Sequence, residues 1–467
     1  MRQINSQSNA FFVLVETAII VLSAYAGYVF LVEPESLDPL NFTLPFYFSV
    51  SALVLSYLLG ALSVGLYNEK MRESFRSIVR RIFVSVAMAY FMLGVLLYTV
   101  FPDMQVHENY APLVLALILL LTITFRYLVE DEDCLGVRRK RILILGAGER
   151  ASIIERRMRR KVDQKGFELL GYVPMKGDRN EGVIPQTKQI VIPVQNVAAE
   201  VLARKVDCIV IACDERRETL PIDALFDCKI RGVEILDILD FLEKETGQIA
   251  VNLIYPSWVI YSNGFESNNY VRVTLDYAFN AMLATVVLLL VWPIMLVTAL
   301  IIWLDDGLRT GASIFYTQER VGLDGRPFRI HKFRSMRPDA EKDGAKWATK
   351  NDDRTTRIGA FIRKYRIDEL PQLINVFRGE MGFVGPRPER PEFVRDLIKH
   401  IPYYNQRHNV KPGLTGWAQL KYPYGSSMED ALEKLKYDLY YIKHRSVLLD
   451  LFILIRTVEI VLFGKGR

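Results

Sequence analysis

The sequence predicts three structural parts: a membrane α-helical bundle over residues 1–130, an α/β Rossmann-like module over 137–250 and, beyond a linker at 251–270, an α+β domain over 271–467 that carries a re-entrant membrane helix at 273–304. Three observations predict this fold class. Four long apolar runs stand in series before residue 130, an apolar strand runs into a Gly-Ala-Gly turn at 146–148, and a fifth apolar run contains Pro293 and has a basic segment behind it. With 51% hydrophobic residues and a mean hydropathy of +0.14, the 467-residue chain is too apolar for an ordinary soluble protein and long enough for several domains.

The first apolar run, 11–32, holds one charge, Glu16, and follows a polar start with no small-residue cleavage signal, so it reads as a retained membrane helix. Runs at 45–67, 82–101 and 111–128 follow, each long enough to cross ~30 Å of hydrocarbon at about 1.5 Å per residue. Loop charges set the orientation. Lys70, Arg72, Arg76, Arg80 and Arg81 follow the second run and Arg138 to Arg141 the fourth, whereas Glu33, Glu35, Asp38, Asp103 and Glu108 make the other two loops acidic. The positive-inside rule then puts both ends of the bundle in the cytoplasm.

RILILGAGERA at 141–151 has the form of a dinucleotide fingerprint, an apolar strand entering a GxGxxA turn and then a helix. Strands at 169–173, 206–213 and 233–236 alternate with helical stretches, which predicts a small doubly wound sheet. No acidic residue ends the second strand to hold a ribose, since Asp178 comes after Gly177 in a polar loop. A bound nucleotide and a purely structural or regulatory module both stand. The four cysteines, Cys134, Cys208, Cys213 and Cys228, have no CxxC spacing and read as reduced thiols in a cytosolic compartment, with no zinc site. The net charge of +6 is interleaved with apolar runs, which favours an anionic membrane surface and phosphorylated ligands over nucleic acid as partners.

The fifth apolar run, 277–304, has no charge, and both flanks must lie on one side of the membrane. Pro293 near its middle removes a helical hydrogen bond and bends it, leaving two arms too short for comfortable spans, so a hairpin that enters and leaves by the same face is expected. Behind it, alternating apolar residues around Asp324-Gly325 predict a β-hairpin ending near Lys332, Arg334 and Arg337. Residues 339–356 read as a charged loop with Trp347.

The chemical centre is read at 357–389, RIGAFIRKYRIDELPQLINVFRGEMGFVGPRPE. Ile358, Phe361, Ile362 and Tyr365 recur at helical spacing, predicting a helix that ends near Arg366. Pro371 suits the first turn of a second helix reaching Phe377, with Asp368 as its N-cap, where the helix dipole and arginines would keep a carboxylate ionised. Such a carboxylate can be a nucleophile or hold a hard cation. Pro386 and Pro388 fix φ on both sides of Arg387 and ready its planar fork for a phosphate. An amphipathic helix is expected at 391–400, another helix at 428–443 carrying Asp438, and an interfacial helix at 447–463.

Together with KFRSMRP at 332–338 and PGLTGWAQ at 412–419, the 357–389 string resembles the bacterial sugar transferase family, the monotopic polyprenyl-phosphate hexose-1-phosphate (phosphoglycosyl) transferases, from residue 271 onward. The three-part order also resembles the large members of that family, making the third part an α+β monotopic transferase domain. The resemblance implies that Asp368 attacks the β-phosphate of a UDP-sugar, expels UMP and passes the sugar phosphate to a polyprenyl (undecaprenyl) phosphate, starting exopolysaccharide, O-antigen or capsule assembly. It implies Glu369 and Lys332 as catalytic partners, Arg387, Arg334, Arg378 and Asp438 as phosphate- or nucleotide-binding residues, and Mg²⁺ held by Asp368 and Glu369. It implies a multi-pass protein of the bacterial inner membrane with its catalytic domain on the cytoplasmic face. Trp292-Pro293 stands where the family often has Ser-Pro, and KYPYGSS at 421–427 where many relatives have Asn-Gly. Trp417 has two uses open to it, stacking on uracil or sitting at the lipid interface. A homodimer is the expectation from the size of the membrane unit. Two other readings are a membrane-tethered nucleotide-sugar epimerase or dehydratase, which needs a YxxxK pair on the Rossmann-like module where none is expected between Arg141 and Gln248, and a non-catalytic scaffold.

Overall fold

A computed structural model describes residues 2–31, 44–67, 75–97, 101, 110–130, 140–158, 167–179, 182–193, 196–216, 219–255, 258, 260, 262, 264–265, 270–340, 353–422, 425 and 427–462. Glu33, Glu35, Asp38, Lys70, Arg72, Asp103, Glu108, Arg138 and Arg139, which carry most of the orientation argument, lie outside the described residues, as do Trp347 and parts of the linker and of KYPYGSS. The chain divides into two compact units, Met1–Phe241 and Leu242–Arg467.

In the first unit, four apolar helices pack together: α1 (Arg2–Leu31), α2 (Leu44–Ser63), α3 (Phe75–Val95) and α4 (Tyr110–Glu130). Each holds a stretch long and apolar enough to cross a membrane. Their shared core is made by Ile20, Tyr57, Ile82, Val114 and Ile118 among others. Glu16 is fully buried there and pairs with Arg126 at 2.7 Å, with the Tyr57 and Tyr67 hydroxyls also donating to it. A charge inside such a bundle needs a partner of this kind. α3 starts earlier than expected, so Arg80 and Arg81 are helical. Arg81 is buried and donates to the Gly65 carbonyl at 3.1 Å.

The same unit contains a four-stranded, all-parallel sheet in the order β2-β1-β3-β4, from β1 (Lys140–Leu145), β2 (Phe167–Val173), β3 (Cys208–Ile211) and β4 (Glu234–Asp237). Leu143, Leu145, Val173 and Ile209 form part of its core. α5 (Glu149–Arg157) follows the Gly146–Gly148 turn, α6 (Val197–Ala203) precedes β3, α7 (Ile222–Ile230) connects β3 to β4, and α8 (Ile238–Thr246) follows.

The second unit is built on α9 (Tyr270–Ile302), which is helical without interruption and contains Pro293. It includes the fifth stretch long and apolar enough to cross a membrane and is largely exposed, as at Leu289, Leu290 and Trp292. β5 (Phe315–Val321) and β6 (Pro327–Phe333) form the expected antiparallel hairpin, with Asp324 in the left-handed region at φ 54° in its turn. α10 (Arg357–Lys364) is capped by Thr356, whose hydroxyl accepts the Gly359 N–H. A Cβ at position 359 would collide with the Ser335 carbonyl, so this helix approaches the chain after β6 as only glycine allows. A 3₁₀ turn at Ile367–Gln372 leads into α11 (Leu373–Phe377) and then β7 (Gly382–Val384). α12 (Pro391–His400), β8 (Gly413–Thr415), α13 (Trp417–Lys421), α14 (Met428–His444) and α15 (Val447–Leu462) complete the unit, with β8 parallel to β7.

α9 touches this domain at both ends. Near its start, the Tyr277 hydroxyl donates to the Phe377 carbonyl at 3.4 Å, Asn280 accepts the Phe383 N–H at 2.8 Å and Asp276 pairs with Arg445 at 2.7 Å. Near its end, Ile302 is buried with Phe333 and Ile362, and Met295, Ala299 and Ile367 pack on that cluster.

Candidate active site

Three segments converge on the acidic pair. The 3₁₀ turn carries Asp368 and Glu369, which are 8% and 5% exposed; β6 supplies Lys332; and the segment after β7 supplies Arg387. Lys332 Nζ lies 3.1 Å and Arg387 3.0 Å from Glu369 Oε1, and Arg366 lies 3.4 Å from Oε2. Three cations therefore share one carboxylate, leaving a surplus of positive charge beside Asp368.

Local backbone geometry makes this possible. α10 ends at Lys364 with Tyr365 as its C-cap, and Arg366 takes a left-handed conformation at φ 59°, a strain of about 1–2 kcal/mol for a residue with a Cβ. The chain turns sharply there, and the Glu369 N–H donates back to the Arg366 carbonyl at 3.2 Å. Asn375, fully buried, fixes the strand beside the turn. Its amide donates to the Arg329 carbonyl at 2.8 Å and to Glu380 at 2.6 Å, and its oxygen accepts the His331 N–H at 3.1 Å. Lys332 is the next residue on that strand.

The pair is electrostatically split. Burial alone would raise Glu369, but Lys332, Arg387 and Arg366 outweigh it and hold the carboxyl well below its usual range. Burial, followed by the negative charge of Glu369, pushes Asp368 up to about 6 against Lys332 and Arg366. Burial also lowers the Lys332 ammonium, against the attraction of Glu369. The expected N-cap role of Asp368 is corrected: it lies inside the 3₁₀ turn, so burial dominates its ionisation and Glu369 takes the cationic neighbours. Asp368 Oδ1 is buried and accepts no hydrogen bond. An oxygen in this state can act as a nucleophile or as one ligand of a hard cation.

The other expected site residues have settings of their own. Arg334 follows β6, with its N–H on the Ile314 carbonyl at 2.8 Å. Arg378 is exposed past the end of α11 and makes no ion pair with Glu369. Asp438 is 2% exposed on α14 and pairs with Arg407 at 2.8 Å, so it faces the interior. Trp417 is 5% exposed, its indole N–H donating to the Gly247 carbonyl at 2.9 Å and its ring stacked on Tyr440, so neither expected use fits. Arg320, Asn375 and Arg407 were not singled out in the sequence. Asn375 alone had a signal, an amide inside the apolar LINVF helix.

A profile for the bacterial sugar transferase family matches residues 271–464. The exopolysaccharide production protein PSS of Rhizobium leguminosarum bv. phaseoli is 36% identical over 42% of this chain and 98% of its own length. The chain belongs to the bacterial sugar transferase family. It is also similar to a UDP-N-acetylgalactosamine-undecaprenyl-phosphate N-acetylgalactosaminephosphotransferase of Aeromonas hydrophila, 36% identical over 51% of this chain and 55% of that one. A UDP-glucose:undecaprenyl-phosphate glucose-1-phosphate transferase of Xanthomonas campestris pv. campestris is 40% identical over 43% of this chain and 41% of that one. The chain thus spans about half the length of these last two relatives.

The family match lies within the second unit, and in the first the turn at Gly146–Gly148 is bonded to carboxylates of the chain. The Glu149, Arg150 and Arg179 N–H groups donate to Asp214 at 2.8, 2.9 and 2.9 Å, and the Ala147 N–H donates to Asp178 at 2.7 Å. A carboxylate of the chain itself sits where this kind of turn holds a phosphate. The expectation that no YxxxK pair stands between Arg141 and Gln248 is corrected: the spacing occurs at Tyr172 and Lys176. Tyr172 is fully buried in β2 and donates to Glu155, while Lys176 is exposed in the next turn, so no helix face brings them together.

Proposed function

We propose that this membrane-associated protein transfers a hexose-1-phosphate from a UDP-sugar to undecaprenyl phosphate, or a similar polyprenyl phosphate, and releases UMP. One observation carries the reading: a buried Asp368 with an uncommitted oxygen, beside a Glu369 that gathers Lys332, Arg387 and Arg366 within 3.4 Å. The Aeromonas and Xanthomonas relatives are named for action on undecaprenyl phosphate.

In the first step a carboxylate oxygen of Asp368 bonds to the β-phosphorus, and the bond from that phosphorus to the bridging oxygen breaks. The electron pair leaves with UMP. Ionised Asp368 is the reactive form, and with its pKa near 6 it is mostly present at neutral pH. Arg387 and Lys332 are placed to neutralise charge on the phosphates in a site where water is scarce. In the second step an oxygen of the polyprenyl phosphate attacks the same phosphorus and Asp368 leaves, regenerating the carboxylate.

Magnesium fits the site through Asp368 Oδ1 together with substrate oxygens, whereas the Glu369 oxygens are already engaged by cations. Bound there it would neutralise the diphosphate.

α9 supports a re-entrant reading. A straight helix would separate Asp276 from Ile302 by about 39 Å at 1.5 Å per residue. The partners of its two ends, Ile367 and Phe377, are only ten residues apart, about 15–20 Å along helical chain. A bend at Pro293 reconciles the two lengths, and entry and exit on the cytoplasmic face of the bacterial inner membrane would keep the site with its UDP-sugar. The first unit is read as a membrane bundle with a Rossmann-like module whose turn is filled from within. UMP release by purified protein with undecaprenyl phosphate, magnesium and a panel of UDP-hexoses tests the function. Release with one sugar supports it, and silence from folded protein across the panel refutes it.

A further inference from the structure

Pro386-Arg387-Pro388 has an anchoring problem. Two of its three residues have no N–H, so the segment can be fixed mainly through its carbonyls. All four carbonyls from 386 to 389 are taken. That of Pro386 accepts the Gly413 N–H at 3.0 Å, that of Arg387 accepts the Arg407 guanidinium at 2.9 Å, that of Pro388 accepts Arg320 at 3.2 Å, and that of Glu389 accepts the Val321 N–H at 2.9 Å. The donor at the functional residue is a side chain, and it is locked in place. Arg407 is 6% exposed, donates to the Tyr404 hydroxyl at 2.6 Å and pairs with Asp438 at 2.8 Å.

We propose that Arg407, held by Asp438, is the positioning residue of Arg387: it fixes the Arg387 carbonyl and so aims that guanidinium at Glu369 and at the donor diphosphate. This rests on the transferase reading of the same site. Asp438 then acts on nucleotide binding without touching the nucleotide. A role in stability alone explains the arrangement less well, because a buried ion pair is often replaceable by apolar side chains of similar volume at no cost in folding, whereas only a long donor reaches the Arg387 carbonyl.

That replaceability supplies the test. Arg407→Met/Asp438→Leu removes both buried charges together and keeps the fold while losing the strut. For the full chain in lipid nanodiscs, KM for the UDP-sugar should rise about tenfold, the equivalent of one charged hydrogen bond, with kcat within about twofold, because Arg387 would bind ground and transition states alike. Arg387→Ala should raise KM at least as much, and adding the double change to it should raise KM by less than about twofold, since both act through one contact. UDP affinity in the same proteins, measured by calorimetry, should fall in the same ratios and decides the strut even if no UDP-sugar turns over. If the double variant does not fold, Asp438→Asn tests the same ratios in a side chain of the same shape. An unchanged KM and UDP affinity, with UMP release reduced only in proportion to folded protein, would overturn the proposal, as would effects that multiply with Arg387→Ala. Loss of UMP release in the native chain, with the affinity ratios intact, would count against the transferase reading instead.

Discussion

Glu369 serves as the anchor of the site, since Lys332, Arg387 and Arg366 are all held within 3.4 Å of it. Glu369→Gln leaves these cations without their counter-charge in a buried place. It should cost about 3–5 kcal/mol of stability, the usual result of breaking a buried pair from one side, and a denaturant titration measures it. His408 carries a pH dependence. Burial, then the Arg407 charge, pushes its pKa down from 6.5 to about 4. Its folded form is therefore the neutral one. The stability it contributes is complete above pH 6.5 and is lost as pH falls toward 4, where the unfolded chain takes up the proton first. Thermal unfolding should show the native chain losing about 1–2 kcal/mol more than His408→Gln between neutral pH and about pH 5. That Lys332 and Arg387 gather at the Asp368-Glu369 pair was legible as a grouping because each stands in a short contiguous motif of the chain. The burial of Asp438 was not legible because sequence carries no burial, and its partner Arg407, thirty-one residues away, had no local signal at all.

At the scale of elements, periodicity located what it could. The β5–β6 hairpin showed its alternation and its Asp-Gly turn, and α12 showed its apolar stripe, with Val394 and Leu397 buried. The 3₁₀ turn was missed because Pro371 suits the start of an α-helix equally well, and nothing local announces that Arg366 adopts a positive φ. The fingerprint at Gly146–Gly148 was recognised by shape, yet the group that fills it, Asp214, is distant in sequence. Asp214→Ala should remove the acceptor of the first α5 N–H groups and destabilise the α/β region by about 1–2 kcal/mol, as loss of a helix cap does. An unchanged unfolding midpoint would mean that the turn does not depend on this carboxylate.

At the scale of the molecule, the five long apolar helices among the described residues give membrane association, and hydropathy alone found them because each is long and nearly free of charge. The re-entrant path proposed for α9 was argued from its flanking charges and Pro293, and the contacts at both of its ends support it. Cysteines placed on either side of it, Ile260→Cys and Leu308→Cys, are both at exposed positions, and Cys208, Cys213 and Cys228 are buried. With Cys134→Ser as background, an impermeant maleimide should label both in inside-out vesicles and neither in right-side-out ones, whereas labelling from opposite sides would make α9 a span. The central claim is that Asp368 is the nucleophile, and the most direct measurement is single-turnover capture with UDP-sugar radiolabelled in the sugar and no lipid acceptor present. The native chain should release close to one UMP per active site and retain the label on the peptide that contains Asp368, and Asp368→Asn should do neither while remaining folded. UMP release by Asp368→Asn at the native rate, or label retained on a different residue, would contradict the account.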